Sequence, residues 1–257
     1  METPDDVRRP VALVTGVGRK AGIGAALATR LAEQDFDVAV TYWSAYDDRM
    51  PWPNPPGDVD EVCAAIRAAG SRALAVADDL ADVEAPRRIF DAVEADLGPV
   101  TALVLSHAES VDSGLRDTTV ESWDRHFAVN ARAAWLLVRE LAERFRGPAG
   151  RGRIVALTSD HTAFNLPYGA SKGALDRVVL AAARELAGRG ITANVVNPGP
   201  NDTGWMSDEL KVRVVDETPL GRLGRPADTA ALVGFLCSPE GEWVNGQLLH
   251  SDGGLHA

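Results

Sequence analysis

Cysteine and long apolar runs are scarce in this chain. Its two cysteines, Cys63 and Cys237, are too few for a disulfide framework and lack metal-ligand spacing, so we expect two packed thiols and no metal site. No stretch approaches the ~18 apolar residues that a membrane span requires. Residues 1–10 carry three carboxylates instead of the apolar core of a signal peptide. These absences favour a cytoplasmic protein without a membrane partner.

Positive charge is also in short supply. The chain has 26 basic against 37 acidic residues, a formal net charge of −11, and no basic stripe interrupts this balance. Electrostatic attraction to nucleic acid is therefore not expected. Only three residues are lysines and only three are tyrosines. A lysine or tyrosine within a motif is correspondingly informative.

Apolar periodicity predicts alternating strands and helices. The 257 residues, 46% of them apolar, are enough for one large α/β domain over residues 1–257, with a tail at 1–9. Strands are predicted at 11–14, 38–42, 73–76, 100–105, 153–157, 192–196 and 246–250. Helices are predicted at 23–34, 58–69, 84–97, 119–145, 167–188 and 226–237. This order predicts a doubly wound parallel sheet of about seven strands with helices on both faces.

Two segments interrupt the alternation. Residues 43–57 contain four prolines and two tryptophans, and residues 198–226 follow the sixth predicted strand. Both are predicted to be loops at the carboxyl edge of the sheet, where ligands of such folds bind.

A glycine-rich turn joins the first strand to the first helix. It reads Thr15-Gly16-Val17-Gly18-Arg19-Lys20-Ala21-Gly22-Ile23-Gly24. Backbone N–H groups at a helix N-terminus bind pyrophosphate, and glycine is needed where a Cβ would collide with it. The alternative is a tight structural turn without a ligand.

The charges around this turn favour NADP(H) over NAD(H). The second strand ends at Tyr42 without the carboxylate that would repel a 2′-phosphate, while Arg19 and Lys20 supply positive charge. Two alternatives remain: both cations are solvated loop charges, or the carboxylates of Asp47 and Asp48 fold back onto the ribose.

Tyr168 and Lys172 lie four residues apart at the start of a predicted helix. This spacing is one helical turn, so the phenol and the ammonium share a face. A free phenol has a pKa near 10 and is a poor base at neutral pH, so a nearby cation must favour its phenolate.

With the glycine-rich turn, Tyr168 and Lys172, the chain resembles the short-chain dehydrogenase/reductase family and its 3-oxoacyl-reductase-like members over residues 11–254. Further motifs occur in the family's order: Asp79-Leu80, Phe127-Ala128-Val129-Asn130, Ser159, Asn197-Pro198-Gly199, Gly224-Arg225-Pro226 and Asp252-Gly253-Gly254. The resemblance implies a Rossmann-type fold and an oxidoreductase that acts on a carbonyl or secondary alcohol with a nicotinamide cofactor. It also implies a homotetramer or homodimer built on the fourth and fifth predicted helices.

The resemblance assigns four catalytic residues. Tyr168 is the acid or base, Lys172 lowers its pKa and binds the ribose, Ser159 orients the carbonyl, and Asn130 belongs to a proton relay. Each residue also has an ordinary structural interpretation as a polar or aromatic group at the end of an element. The cofactor is expected against Gly16, Gly18, Arg19, Lys20, Gly22, Ile23, Gly24, Tyr42, Asp79, Leu80, Ser106, His107, Ala108, Tyr168, Lys172, Pro198, Gly199 and Thr203.

Three departures from the family pattern affect the site. The glycine-rich turn is two residues longer than the commonest form. Ser106-His107-Ala108-Glu109 stands where the family usually has Asn-Asn-Ala-Gly, so the Glu109 carboxylate must be solvated or paired. His107 is one candidate partner; it is more simply a structural histidine than a substrate contact.

The third departure is the short interval of eight residues between Ser159 and Tyr168. It brings residues 164–166 close to the tyrosine, and a register shift of one would give the serine's role to Thr158. Residues 199–225 correspond to the family's substrate lid. Its apolar side chains either cover a hydrophobic substrate or pack a short helix at 207–216.

Three functions remain open from the sequence. An NADP(H)-dependent carbonyl reductase or alcohol dehydrogenase is favoured. The alternatives are an NAD-dependent alcohol dehydrogenase and a catalytically idle dinucleotide-binding scaffold, which the unusual Ser106-His107-Ala108-Glu109 segment suggests.

Overall fold

The computed structural model describes residues 9–50, 52, 55–148 and 150–256. It contains one parallel sheet of seven strands in the order β3-β2-β1-β4-β5-β6-β7. The strands are β1 (Val11–Thr15), β2 (Asp37–Tyr42), β3 (Ala73–Ala77), β4 (Val100–Leu105), β5 (Gly152–Leu157), β6 (Ile191–Asn197) and β7 (Leu248–His250). The predicted doubly wound sheet is confirmed. The tail predicted at 1–9 lies, except for Arg9, outside the described residues.

Nine α-helices lie within the described part of the chain. They are α1 (Ile23–Ala32), α2 (Ser44–Asp47), α3 (Asp58–Ala68), α4 (Ala85–Asp96), α5 (Val120–His126), α6 (Ala133–Arg144), α7 (Leu166–Glu185), α8 (Asp208–Glu217) and α9 (Pro226–Cys237). None of them combines the length and apolar character needed to cross a membrane.

Each face of the sheet carries its own apolar core. Strand side chains alternate, so Leu13 packs into one core with α4, α6 and α7. Its neighbour Val14 packs into the other core with α1, α3 and α9. All five residues of β1 are buried, as expected for a central parallel strand covered on both faces.

The chain reverses its winding direction between β1 and β4. Pairs such as Thr15 with Leu105 and Leu157 with Val196 align the carboxyl ends of the central strands at one edge. A crevice at this edge is where open α/β sheets bind ligands. The functional residues predicted from sequence follow these strand ends.

Two predictions of regular structure need correction. The helix predicted over 119–145 is divided, because residues Phe127–Arg132 form a π-helical segment between α5 and α6. The loop predicted over 43–57 includes α2, and its residues 51, 53 and 54 lie outside the described part. In the second loop, α8 forms where a short helix was one of two alternatives.

Candidate active site

Helix α7 carries Tyr168 and Lys172 on successive turns. Pro167 lies in the first turn of α7, where a missing N–H costs no helical hydrogen bond. The Lys172 Nζ atom lies 5.8 Å from the centroid of the Tyr168 ring. The shared face predicted from the spacing is therefore present.

Lys172 is buried beneath two strand ends. Its Nζ donates to the carbonyl oxygens of Leu157 at 2.9 Å and His107 at 3.3 Å. Burial lowers the pKa of the Lys172 ammonium to about 8, a shift that the Asp176 carboxylate opposes. The two carbonyls hold the ammonium at the carboxyl ends of β4 and β5.

The Tyr168 phenol is partly enclosed by the loop after β5. Burial raises the pKa of Tyr168 to about 12; a hydrogen bond with Ser159 lowers it, and the Asp160 carboxylate raises it further. The shift is upward, and Lys172 is not among its causes. The expectation that Lys172 lowers this pKa stays a prediction.

Ser159, rather than the alternative Thr158, forms a hydrogen bond with Tyr168. The Ser159 hydroxyl is 3.1 Å from Nδ1 of His161 and accepts from the His161 backbone N–H at 3.2 Å. Thr158 is buried, and its N–H extends the ladder with β6 by donating to Val196 O at 2.9 Å. The geometry favours Ser159 as the carbonyl-orienting candidate.

Asn130 lies in the π-helical segment and is fully buried. Its Oδ1 accepts from the Glu109 N–H at 2.7 Å, and its Nδ2 donates to the Glu109 carbonyl at 2.9 Å. The same Nδ2 donates to Ser171 Oγ at 2.9 Å, which ties the segment to α7. Such π-helical turns are frequent at functional sites because they redirect single side chains.

His107 is a structural residue in this fold. Its Nδ1 is 2.6 Å from the Thr15 hydroxyl, and its Nε2 is 3.0 Å from the Val129 carbonyl. Burial, with the charge of Lys172, lowers the pKa of His107 to about 3. The imidazole is therefore neutral near pH 7, with its proton on Nε2, since only an N–H can donate to the carbonyl of Val129.

The buried Glu109 carboxylate is paired with arginines. Arg49 Nη2 donates to its two oxygens at 2.6 and 2.5 Å, and Arg125 Nε lies 3.4 Å from Oε2. The alternative that His107 pairs with Glu109 is wrong, because both ring nitrogens of His107 contact other groups, Thr15 and Val129. Pairing with two guanidinium groups explains how a carboxylate is tolerated here.

The glycine-rich turn is built for close approach. A Cβ on Gly16, which has a φ of +75°, would lie 2.5 Å from the His107 Cα, and one on Gly24 would lie 2.7 Å from the Gly16 carbonyl oxygen. Helix α1 begins after Gly22, which has no side chain to cap the first-turn N–H groups. A close-packed turn ending at an uncapped helix N-terminus fits a dinucleotide pyrophosphate.

Arg19 joins the turn to the two long loops. Its Nη1 donates to Thr203 O at 2.9 Å, its Nε lies 3.3 Å from Asp47 Oδ1, and its guanidinium lies 4.5 Å from the Trp52 ring centroid. Trp52 stacks on Trp205 with centroids 4.9 Å apart. We name Arg19, Asp47, Trp52 and Trp205 the aromatic bridge.

The other predicted cofactor residues follow the same sheet edge. The Lys20 Nζ atom lies 2.9 Å from Glu61 Oε2 on α3. The Asp79 carboxylate already accepts from Arg125 at 2.9 Å and from the Ala81 N–H at 2.9 Å. The remaining predicted residues lie at strand ends or in the segments that directly follow the strands: Ile23, Tyr42, Leu80, Ser106, Ala108, Pro198, Gly199 and Thr203.

The comparisons with known proteins agree on one family. A family model described as "Enoyl-(Acyl carrier protein) reductase" matches residues 16–256. An uncharacterized oxidoreductase of Bacillus subtilis is 36% identical, with 95% of this chain and 96% of the relative aligned. A "NADPH-dependent aldehyde reductase-like protein, chloroplastic" of Arabidopsis thaliana is 37% identical over 95% and 93% of the two chains.

One similar solved structure contains bound NADPH. It is a blue fluorescent protein from a metagenomic library in complex with NADPH, which is 32% identical, has a TM-score of 0.86, and aligns over 98% of this chain and 100% of that one. The chain belongs to the short-chain dehydrogenase/reductase family. It is accordingly an NAD(P)-dependent oxidoreductase with a Rossmann-type fold.

Sequence reasoning missed several residues of this family member's site. Arg49 and Arg125, the partners of Glu109, lie 60 and 16 residues away from it along the chain. Trp52 and Trp205 belong to the two predicted loops, but the stacking between their rings was not predicted. The available signal was the requirement that a buried glutamate be paired, which predicts a cation without identifying it.

Proposed function

We propose that this oxidoreductase transfers a hydride between NADP(H) and a carbonyl or secondary alcohol substrate, with Tyr168 as the acid or base. The convergence of Tyr168, Lys172 and Ser159 at the carboxyl end of β5 carries this proposal. Asn130 is the fourth proposed catalytic residue, as part of a proton relay behind Lys172. The carbonyl substrate class is also supported by the relative described as an aldehyde reductase.

In the direction of reduction, Tyr168 donates its proton to the carbonyl oxygen. Its raised pKa keeps the phenol protonated at neutral pH, which is the form that an acid requires. The Ser159 hydroxyl donates a hydrogen bond to the same oxygen, and the Lys172 ammonium stabilises the phenolate that remains. When a nicotinamide cofactor is bound at this site, the hydride would come from it.

The glycine-rich turn is the proposed site of the cofactor's pyrophosphate. Gly16, Gly18, Gly22 and Gly24 permit close backbone approach, and Lys172 would bind the nicotinamide ribose. Lys20 is our candidate for the 2′-phosphate, because its ammonium is about half exposed on a flexible stem. Residues 199–225 are the proposed lid over the substrate.

An NAD-dependent alcohol dehydrogenase is the second candidate. Arg19 is paired with Asp47 and Lys20 with Glu61, so both cations of the turn already have carboxylate partners. A 2′-phosphate would have to compete with these carboxylates, whereas NAD(H) has no such requirement.

Titrations with NADPH and with NADH, followed by cofactor fluorescence, test the cofactor choice. We expect tighter binding of NADPH, and an approximately tenfold weaker NADPH affinity in Lys20→Gln, because one charge-assisted contact is worth about 1.4 kcal/mol. NADH affinity should stay within about twofold in that variant. Arg87→Gln, on the opposite face of the sheet, is the matched control. Tighter binding of NADH would favour the second candidate, and binding of neither cofactor would reject both.

Turnover on a panel of aldehydes and ketones tests the role of Tyr168. Tyr168→Phe should keep cofactor affinity and lose at least about 100-fold in kcat, the lower end for general acid catalysis. Tyr46→Phe is the control, since its hydroxyl donates to the Ser110 carbonyl at 3.3 Å. Undiminished turnover in Tyr168→Phe would reject the assignment.

A further inference from the structure

Two histidines and an aspartate meet where β7 ends. They are His250, Asp252 and His256, and their ligand atoms all lie within 4.8 Å of one another. The expectation of no metal site rested on cysteine spacing and did not include these three residues. We propose that His250, Asp252 and His256 bind a divalent transition metal ion of the Zn²⁺ type.

The separations of the donor atoms suit one small ion. Asp252 Oδ2 lies 2.7 Å from His256 Nδ1 and 3.6 Å from His250 Nδ1. Two donors bound at the usual Zn²⁺ distances around a tetrahedral ion lie roughly 3.4 Å apart. Small movements of the two imidazoles would therefore let all three donors bind the same ion.

Asp252 is held in place before any ion binds. Its Oδ1 accepts from the Gly254 N–H at 3.0 Å, and its Oδ2, which lies toward the two imidazoles, accepts from the His256 backbone N–H at 3.2 Å. Gly199 packs so closely that a Cβ there would lie 2.5 Å from the Asp252 Cβ. A fixed central carboxylate reduces the entropy that ligand binding must overcome.

Asp160 supplies the outer partner of the site. Its Oδ2 contacts Nε2 of His256, the ring nitrogen that points away from Asp252. With the ion on Nδ1, the Nε2–H donates to Asp160. This carboxylate–histidine–metal arrangement fixes the tautomer and raises the basicity of the ligand.

The donor set favours Zn²⁺ over Mg²⁺ or Ca²⁺. Two imidazole nitrogens and one carboxylate oxygen suit Zn²⁺, whereas Mg²⁺ and Ca²⁺ prefer oxygen ligands only. His250 and His256 are about one-third exposed, at 39% and 34% of their side chains, so water can complete the coordination.

An ion-pair clasp without metal, in which His256 bridges Asp252 and Asp160, is the alternative explanation for this cluster. An imidazolium at His256 could donate from Nδ1 to Asp252 and from Nε2 to Asp160 without any ion. In that arrangement His250 contributes little, because 3.6 Å exceeds hydrogen-bond length. His250 therefore distinguishes a metal site from an ion-pair clasp.

Metal binding would affect the proposed active site through Asp160. This residue directly follows Ser159, and its carboxylate raises the pKa of Tyr168. An ion held by His256 would fix residues 250–256 against the loop that carries Ser159. The proposal stands on the donor geometry and does not require the proposed reaction.

Calorimetric titration with Zn²⁺ tests the site directly. The full chain is used with any affinity tag removed and after treatment with EDTA, because a histidine tag would bind the metal itself. We expect one saturable site per chain for Zn²⁺ and no comparable site for Mg²⁺. His250→Ala should weaken Zn²⁺ binding at least tenfold, while His161→Ala, which removes another exposed histidine near Asp160, should not.

Asp160→Asn and Co²⁺ provide independent readouts. Loss of the outer carboxylate should weaken Zn²⁺ binding by about 10-fold to 100-fold without abolishing it. Co²⁺ should give visible absorption bands of a low-coordinate site in the wild type and not in His250→Ala, with circular dichroism confirming that the variant is folded. The proposal would be overturned if no saturable Zn²⁺ binding is found with a Kd below about 1 mM, which corresponds to a binding free energy of about 4 kcal/mol. Equal Zn²⁺ affinity in the wild type and His250→Ala would also overturn it.

Discussion

His107 is a titratable side chain at a position where the family usually has asparagine. The neutral imidazole bridges Thr15 and Val129 within the protein, whereas in the unfolded chain it titrates near its usual pKa of about 6.5. Because the folded-state pKa is lowered to about 3, the unfolded chain binds more protons between these values. His107 therefore contributes stability that is present above pH 6.5 and is lost as the pH falls toward 3.

We predict that His107→Asn flattens the acid side of the stability profile. A difference of one bound proton changes the free energy of unfolding by about 1.4 kcal/mol per pH unit. In urea unfolding between pH 5 and 8, the plot of this free energy against pH should therefore be steeper for the wild type than for the variant by nearly that amount at the acid end. The variant should be less stable than the wild type at pH 8, since it loses the imidazole bonds. The same proton uptake on unfolding in both proteins would contradict this explanation.

Chemistry within one local motif was predictable, and partnerships between distant residues were not. The spacing of Tyr168 and Lys172 follows from helix geometry, so their shared face required no tertiary information. The requirement for a partner at Glu109 was equally predictable. The identity of Arg49 was not, because it depends on how residues 43–57 fold across the edge of the sheet.

At the level of elements, the strands were predicted more accurately than the irregular segments. A buried parallel strand is a short apolar run, so the ends of the buried strands β4 and β5 differ from the prediction by at most one residue. The division of the helix predicted at 119–145 was not predicted, because the π-helical segment Phe127–Arg132 is too short to give a periodicity of its own. The amide of Asn130 stabilises that turn through contacts with Glu109, which sequence periodicity does not contain.

The aromatic bridge leads to a prediction for the proposed lid. Trp205 stacks on Trp52, and Arg19 donates to Thr203 in the same segment. Trp205→Ala removes a contact worth about 1 kcal/mol, so amide exchange over residues 199–225 should accelerate about fivefold. Hydrogen-exchange mass spectrometry measures this, with Val212→Ala on the exposed face of α8 as the control.

The kinetic consequence of the same change separates a lid from a packed loop. A lid that is less often closed should raise KM more than it lowers kcat, since substrate capture depends on closure. Equal exchange rates in Trp205→Ala and Val212→Ala would show that the bridge does not order the segment.

At the scale of the whole molecule, α5 and α6 expose a set of large apolar side chains. Val120, Trp123 and Trp135 are exposed by 71%, 36% and 48%, and Trp123 stacks on Phe127 with ring centroids 4.7 Å apart. Adjacent exposed aromatic groups of this size mark protein–protein contacts more often than free surface. We propose the homotetramer or homodimer that the resemblance implies. Its predicted interface uses the fourth and fifth predicted helices, which correspond to α5 with α6 and to α7.

We predict that light scattering after gel filtration gives a mass of about two or four times the 27.3 kDa chain. Trp135→Glu places a carboxylate on each copy at the interface, where desolvation and like-charge repulsion both oppose association, so its mass should fall toward that of one chain. Val83→Glu is the control, because Val83 is similarly exposed, at 52%, but precedes α4. A monomeric wild type would reject the proposed oligomer. An unchanged mass in Trp135→Glu would show that α5 and α6 are not the interface, and the exposed aromatic side chains would then need another partner.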